Sequence, residues 1–109
     1  MTTYVQLLSL TSEGRERMLK DPEMVLRAQH EAKVPGVQVL GLYGVLGQCD
    51  FVNLVEAPDD TTVARFSLEL GVRAGVTIVT MPAIPIGRFE EATATPLLEN
   101  ENSLELPQV

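Results

Sequence analysis

Apolar and polar positions alternate from the start of the chain. Tyr4, Gln6 and Leu8 fall on one side of an extended segment from Thr3 to Ser9, with Val5 and Leu7 on the other. Thr11-Ser12 then offers a helix cap, and Met18, Val25, Leu26, Gln29 and Ala32 follow at helical spacing. Asp21-Pro22 interrupts that run, because proline lacks the N–H a helix interior needs yet suits the first position of a new helix. The pattern predicts one bent or broken helix over about 12–33, with Asp21 capping its second piece. Gly36 to Leu46 reads as a strand, with Val37, Val39, Gly41, Tyr43 and Val45 on one face and Leu40, Leu42 and Leu46 on the other. Cys49 to Ala57 reads as its neighbour, joined through a two-residue type II′ turn at Gly47-Gln48. Pro58-Asp59-Asp60 closes that strand and caps a helix over about 60–71, whose inner stripe is Val63, Ala64, Phe66, Ser67 and Leu70. Gly71 or Gly75 ends this helix. The β-branched run from Val76 to Met81 is the last strand. Pro82 and Pro85 bar a central-strand continuation, which leaves Ile84 to Phe89 to run along an edge or onto a partner.

The order β-α-β-β-α-β is the split βαβ pattern. It predicts an α+β, ferredoxin-like sandwich: one four-stranded antiparallel sheet with two helices on one face. A sheet with one face in water should alternate apolar and polar residues. Here the middle hairpin is apolar on both sides, with Val39, Tyr43 and Val45 against Leu40, Leu42 and Leu46, and Val52 and Leu54 against Phe51 and Val55. Such a sheet is expected to bury its second face on another copy, giving a dimeric α/β barrel, a homodimer or a higher even oligomer.

Charge divides the chain. Five glutamates and no base fall within residues 90–109, so most of the net charge of −7 sits there. The expected organisation is a ferredoxin-like domain over 1–89 and an acidic C-terminal tail over 90–109. The tail reads as flexible or as a docking element for a protein partner, through Leu97, Leu98, Leu104, Leu106 and Val109. Nothing supplies the basic surface that nucleic-acid binding needs. No apolar run approaches the ~20 residues that span a bilayer, and no leader pattern opens the chain, so a cytoplasmic protein without membrane attachment is expected. The single cysteine rules out an internal disulfide.

Few residues could carry chemistry. His30, the only histidine, could act as a base or an axial haem ligand if a pocket and an orienting partner surround it; otherwise it is a surface residue near a helix end. Asp50 could serve as an acid or base at a pocket mouth, or fix the hairpin by accepting backbone N–H groups. Tyr4 and Tyr43 could face a ligand cavity, although aromatic residues at strand spacing usually build core. Cys49 adjoins Asp50 and no base, which opposes thiolate formation, so it reads as packing more than as a ligand contact or nucleophile. One cysteine and one histidine match no familiar zinc spacing, and no metal site or cofactor is expected. Gly41, Gly44 and Gly47 lie in a strand and its turn and do not open a helix, so they are no phosphate-binding loop.

Several segments resemble the GYD domain proteins of bacteria: Tyr4-Val5, Thr11-Ser12-Glu13-Gly14, Gly41-Leu42-Tyr43, Gly47-Gln48-Cys49-Asp50-Phe51-Val52, and Val55-Glu56-Ala57-Pro58-Asp59-Asp60. The resemblance spans about residues 3–89. The family's Gly-x-Tyr-Asp turn stands here as Gly47-Gln48-Cys49-Asp50, with Cys49 in the place of the tyrosine. The resemblance implies the dimeric α/β-barrel fold and no defined activity. Three functions fit these readings. The first is a self-associating module that binds a small ligand or a partner. The second is a small barrel enzyme (a cofactor-free monooxygenase, an isomerase or a haem-handling protein) using His30 and Asp50. The third is an adaptor that works through the tail.

Overall fold

The computed structural model describes residues 1–87. Its elements are β1 (Thr2–Leu10), α1 (Ser12–Lys20), α2 (Met24–Glu31), β2 (Gln38–Gly44), β3 (Phe51–Ala57), α3 (Asp60–Ala74) and β4 (Val76–Ala83). The strands form one antiparallel sheet in the order β2-β3-β1-β4, the α+β, ferredoxin-like arrangement. The expectations for the tail over 90–109, and for the chain beyond Gly87, lie outside the described residues. Among the described residues no helix is long and apolar enough to cross a membrane.

The core lies between the helices and the sheet face that carries Tyr4, Leu8, Val55 and Val76. Met24, Val25 and Ala28 of α2 and Val63, Phe66, Leu70 and Ala74 of α3 fill it from the other side. Ala64, expected in the inner stripe of α3, is exposed, and the buried stripe runs on to Ala74.

Three local expectations need correction. The broken helix is two helices, because the chain leaves helical geometry at Asp21 and resumes at Met24. Asp21 helps at this break by accepting the Glu23 N–H at 3.3 Å, but α2 is capped at Glu23 without a side-chain bond. The Asp21 carboxylate turns instead to Arg27, at 2.6 Å. The hairpin loop is Val45–Asp50, not a two-residue turn. Gly47 does take positive φ (136°), yet the ladder stops at the Gly44–Phe51 pair. The Val45 N–H closes the loop on the Asp50 carbonyl at 3.0 Å. Finally, β2 does not keep one alternation. A bulge between Val39 and Gly41 sets Leu40 and Gly41 together against Leu54. Val39 therefore pairs with Val55 on the helix side, while Tyr43 pairs with Val52 on the open side.

One contact joins the two ends of the βα units. Gly75 ends α3 in the left-handed region (φ 67°), and its carbonyl accepts both the N–H and the hydroxyl of Thr11 at 3.0 Å. Thr11 in turn caps α1 by accepting the Gly14 N–H at 3.0 Å. Gly14 lies so close to this turn that a Cβ there would overlap the Gly75 carbonyl oxygen.

Candidate functional site

The open face of the sheet carries two apolar rows, each crossing all four strands. Val79, Leu7, Val52 and Tyr43 pair in sequence across β4, β1, β3 and β2. Met81, Val5 and Leu54 form the next row, which ends on the bulge at Leu40-Gly41. Among the described residues the helices pack on the opposite face, and Tyr43 is 56% exposed and Val79 59%. Leu40 and Met81 are exposed as well. Polar residues bound the band. Gln38, Glu56 and Thr3 form the next row on one side, which ends on Ala83 of β4, and Ser9 faces Thr77 on the other. An apolar centre with a polar rim is the layout of a protein interface. Gly41 shapes the surface: a Cβ there would come within 2.9 Å of the Tyr43 hydroxyl oxygen, so the missing side chain lets the ring lie along the strand.

On the helix side, Tyr4 is buried, and its hydroxyl donates to Asp60 Oδ1 at 2.6 Å. That bond to a carboxylate, together with burial, pushes the Tyr4 hydroxyl above the usual phenol range. The pair closes one end of a groove of about 740 Å³ between α3 and β4, walled by Val63, Leu68, Val72 and Ile78. Behind the groove runs a polar chain. The Asn53 amide donates to Gln6 Oε1 at 3.0 Å, and Gln6 Nε2 donates to Ser67 at 2.8 Å and to Thr80 at 3.2 Å. Gln6 and Asn53 are fully buried. Ser67 also donates to the Val63 carbonyl at 2.9 Å, so its hydroxyl is spent inside the fold.

The five side chains singled out from sequence are dispersed. Tyr43 lies on the open face and Tyr4 on the helix face. Asp50 is tied to β1: its N–H donates to the Leu8 carbonyl at 2.8 Å, and its Oδ2 accepts the Leu10 N–H at 2.7 Å. Cys49 is a half-buried free thiol in the same loop. His30 is exposed on the last turn of α2, beside a second cleft. No hydrogen bond joins any two of the five among the described residues, and no cluster of metal-ligating side chains forms there. Asp59 caps α3, accepting the Thr62 hydroxyl at 2.7 Å and the Thr62 N–H at 2.8 Å, and these bonds hold its carboxyl below the usual range.

Sequence reasoning missed the buried polar chain. The signal was present: Gln6 stands between Tyr4 and Leu8, and Asn53 between Phe51 and Val55, both on the core-facing side of their strands.

The chain matches the GYD domain over residues 4–93. A relative from Thermus thermophilus, named glutamine synthetase and cystathionine beta-lyase binding protein, is 44% identical over 87 residues, covering 79% of this chain and 92% of its own. Among solved structures, a mutant of Rv3291c superposes with a TM-score of 0.60 at 10% identity, over 78% of this chain and 51% of that one. Another point mutant gives 0.59 at 12%, over 77% and 50%. The chain thus spans about half the length of those structures, and at such identity they share its fold alone. The match over 4–93 and the relative's identity agree with the residues read from the sequence, and the chain belongs to the GYD domain family.

Proposed function

We propose that this protein is a self-pairing module that binds partner proteins. The observation that carries the reading is the two-row apolar band on the open face of the sheet. An exposed band of this breadth, rimmed by polar residues, marks an interaction surface. A second copy offers the same band, so two sheets can close face to face with twofold symmetry. The Thermus thermophilus relative, a binding protein by name, supports a role in holding other proteins and makes glutamine synthetase and cystathionine beta-lyase the first partners to try. The reading assigns recognition of partners in part to the acidic residues 90–109. A cytoplasmic setting belongs to the same reading, and the lone cysteine is in keeping with it.

The test is native mass spectrometry of the full chain beside Leu54→Lys, which puts a charge in the middle of the band. An even oligomer that becomes a monomer with an unchanged far-ultraviolet spectrum is expected. A monomeric wild-type chain would refute self-pairing. Failure of the full chain to bind either enzyme in a purified mixture would refute that choice of partners.

A further inference from the structure

The groove between α3 and β4 offers an occupant little but hydrocarbon. Its hydroxyls are spent within the fold: Tyr4 donates to Asp60 at 2.6 Å, and Ser67 and Thr80 bond each other at 2.9 Å. Asp60, the one charged lining residue among those described, sits beside Tyr4 at the end where Pro82 lies. The remaining wall is Leu68, Val72 and Ile78, set between the small residues Ala64 and Gly71. Leu68 is 73% exposed and Val72 82%, so no described element covers this side of α3.

The strand alongside has the same need. β4 is the last strand of the order β2-β3-β1-β4, so one of its edges is unpaired among the described residues. It is eight residues long and carries no charge, and Pro82 guards only its end. An edge of this kind invites pairing, and proteins commonly cover it with a segment of their own. An extended segment would suit groove and edge together: its backbone pairs with β4, and its alternate side chains enter the groove.

The chain itself carries such a segment. β4 ends at Ala83, at the Asp60–Pro82 end of the groove, and residues 88–109 follow the last described residue, Gly87. Leu104 and Leu106 are two apart, so an extended backbone puts both on one side and Glu105 on the other. Leu97 and Leu98 adjoin, and only one of them could enter. Pro107, which cannot donate to a ladder, limits the strand to the residues before it. Residues 88–103 as a tether span up to about 50 Å, against about 26 Å for an eight-residue strand. A tether that reaches holds its segment at an effective concentration on the order of millimolar, which favours this segment over the β4 edge of a second copy. We propose that residues 103–106 dock on their own chain as a fifth strand beside β4, with Leu104 and Leu106 packed on Leu68, Val72 and Ile78 and Glu105 facing away from α3. This docking does not require the sheet faces to pair, so its test stands apart from that of self-pairing.

The test is methyl and amide nuclear magnetic resonance of the full chain. Nuclear Overhauser contacts are expected from the methyl groups of Leu104 and Leu106 to those of Leu68, Val72 and Ile78. A mixture of labelled and unlabelled copies, filtered for contacts between copies, should show none of them. Leu104→Asp with Leu106→Asp should shift the Leu68, Val72 and Ile78 methyls, speed exchange of the outward β4 amides at least tenfold, and leave Val52 and Leu54 unmoved. Leu97→Asp with Leu98→Asp should leave the groove unchanged. Leu68→Asp, at an exposed position, should move the amide resonances of residues 103–106. Groove resonances indifferent to the Leu104 and Leu106 changes would overturn the proposal. So would contacts found only between copies, or an equal response to the Leu97 and Leu98 changes.

Discussion

The carboxylate of Asp50 accepts the backbone N–H of Leu10 at 2.7 Å, across 40 residues of chain. Its own N–H donates to the Leu8 carbonyl at 2.8 Å, so one residue extends the β1–β3 ladder after the strand pairing has ended. The aspartate of the family's turn is thus a brace between the hairpin loop and the end of β1. Hydrogen bonds to charged groups contribute about 1.5–3 kcal/mol, and Asp50→Ala is expected to lose about that much in urea denaturation. Asp50→Asn keeps an acceptor oxygen and should lose clearly less. Equal losses in the two variants would show that the carboxylate's bond to Leu10 is not the source.

The same brace explains why the hairpin loop is longer than its sequence suggests. Gly47-Gln48 has the composition of a two-residue turn, and Gly47 does adopt positive φ. What local pattern does not carry is the competing demand of β1, which takes the Asp50 N–H and carboxylate while its carbonyl still holds the Val45 N–H. The bulge at Leu40-Gly41 is hidden for a similar reason, since every residue from Val37 to Val45 except Gln38 is apolar or glycine, and an alternation with no polar marker has no visible phase. Elements with a clear period or cap are legible: β1, the cap at Thr11 and the cap at Asp59, whereas α3 runs past Gly71, the earlier of its two candidate ends, to Gly75. That the open face is apolar is legible from hairpin strands with apolar residues at both phases of the alternation, although which β2 residues lie on it is not. The cleft beside His30 is not legible, because it depends on how α2 lies against β2.

Gly14 and Gly75 make a sharper test of packing. At Gly14 a methyl group would meet the Gly75 carbonyl oxygen, a backbone atom fixed by two bonds from Thr11. Overpacking of this kind costs typically about 1–3 kcal/mol, and with no flexible neighbour to yield, Gly14→Ala should lie at or above the upper end. Gly44→Ala is the control, since nothing lies within 4 Å of its added carbon. Thermal melts should separate the two by several degrees. Similar melts would mean that α1 shifts freely against the α3–β4 turn.

The buried Gln6–Asn53 pair predicts non-additivity. Replacing Gln6 by Leu leaves the Asn53 amide, Ser67 and Thr80 without a shared partner; replacing Asn53 by Leu strips Gln6 Oε1 of its donor. Each single change is expected to cost about 1–3 kcal/mol, the desolvation penalty of an orphaned group. Gln6→Leu with Asn53→Leu removes both ends of that bond, so the double variant should be more stable than the sum of the singles implies, by about 0.5–3 kcal/mol. A double-mutant cycle in denaturant measures the difference, and strict additivity would show that the two amides do not act as a unit.

Asp59 and Tyr4 give the fold pH dependences of opposite sign. Asp59 is held below the ordinary carboxylate range by the Thr62 hydroxyl and N–H. The native state therefore binds its proton later than the unfolded chain does. Its contribution is complete above the ordinary carboxylate pKa of about 4 and fades as the pH falls from there through the folded value. Asp59→Ala should accordingly melt lower than wild type at neutral pH and converge on it in acid. Tyr4 behaves in reverse. Its hydroxyl donates to the Asp60 carboxylate and is raised above the phenol range, so the folded state keeps a proton that the unfolded chain releases. The stability it confers is complete below about pH 10 and declines as the pH rises from there through the folded value. Tyr4→Phe removes that titration, and its stability should fall less steeply than wild type at high pH. Melting curves across both limits decide the matter: an unchanged alkaline slope in Tyr4→Phe would mean that the bond to Asp60 does not hold the proton, and the groove between α3 and β4 would lose the pair that closes its end.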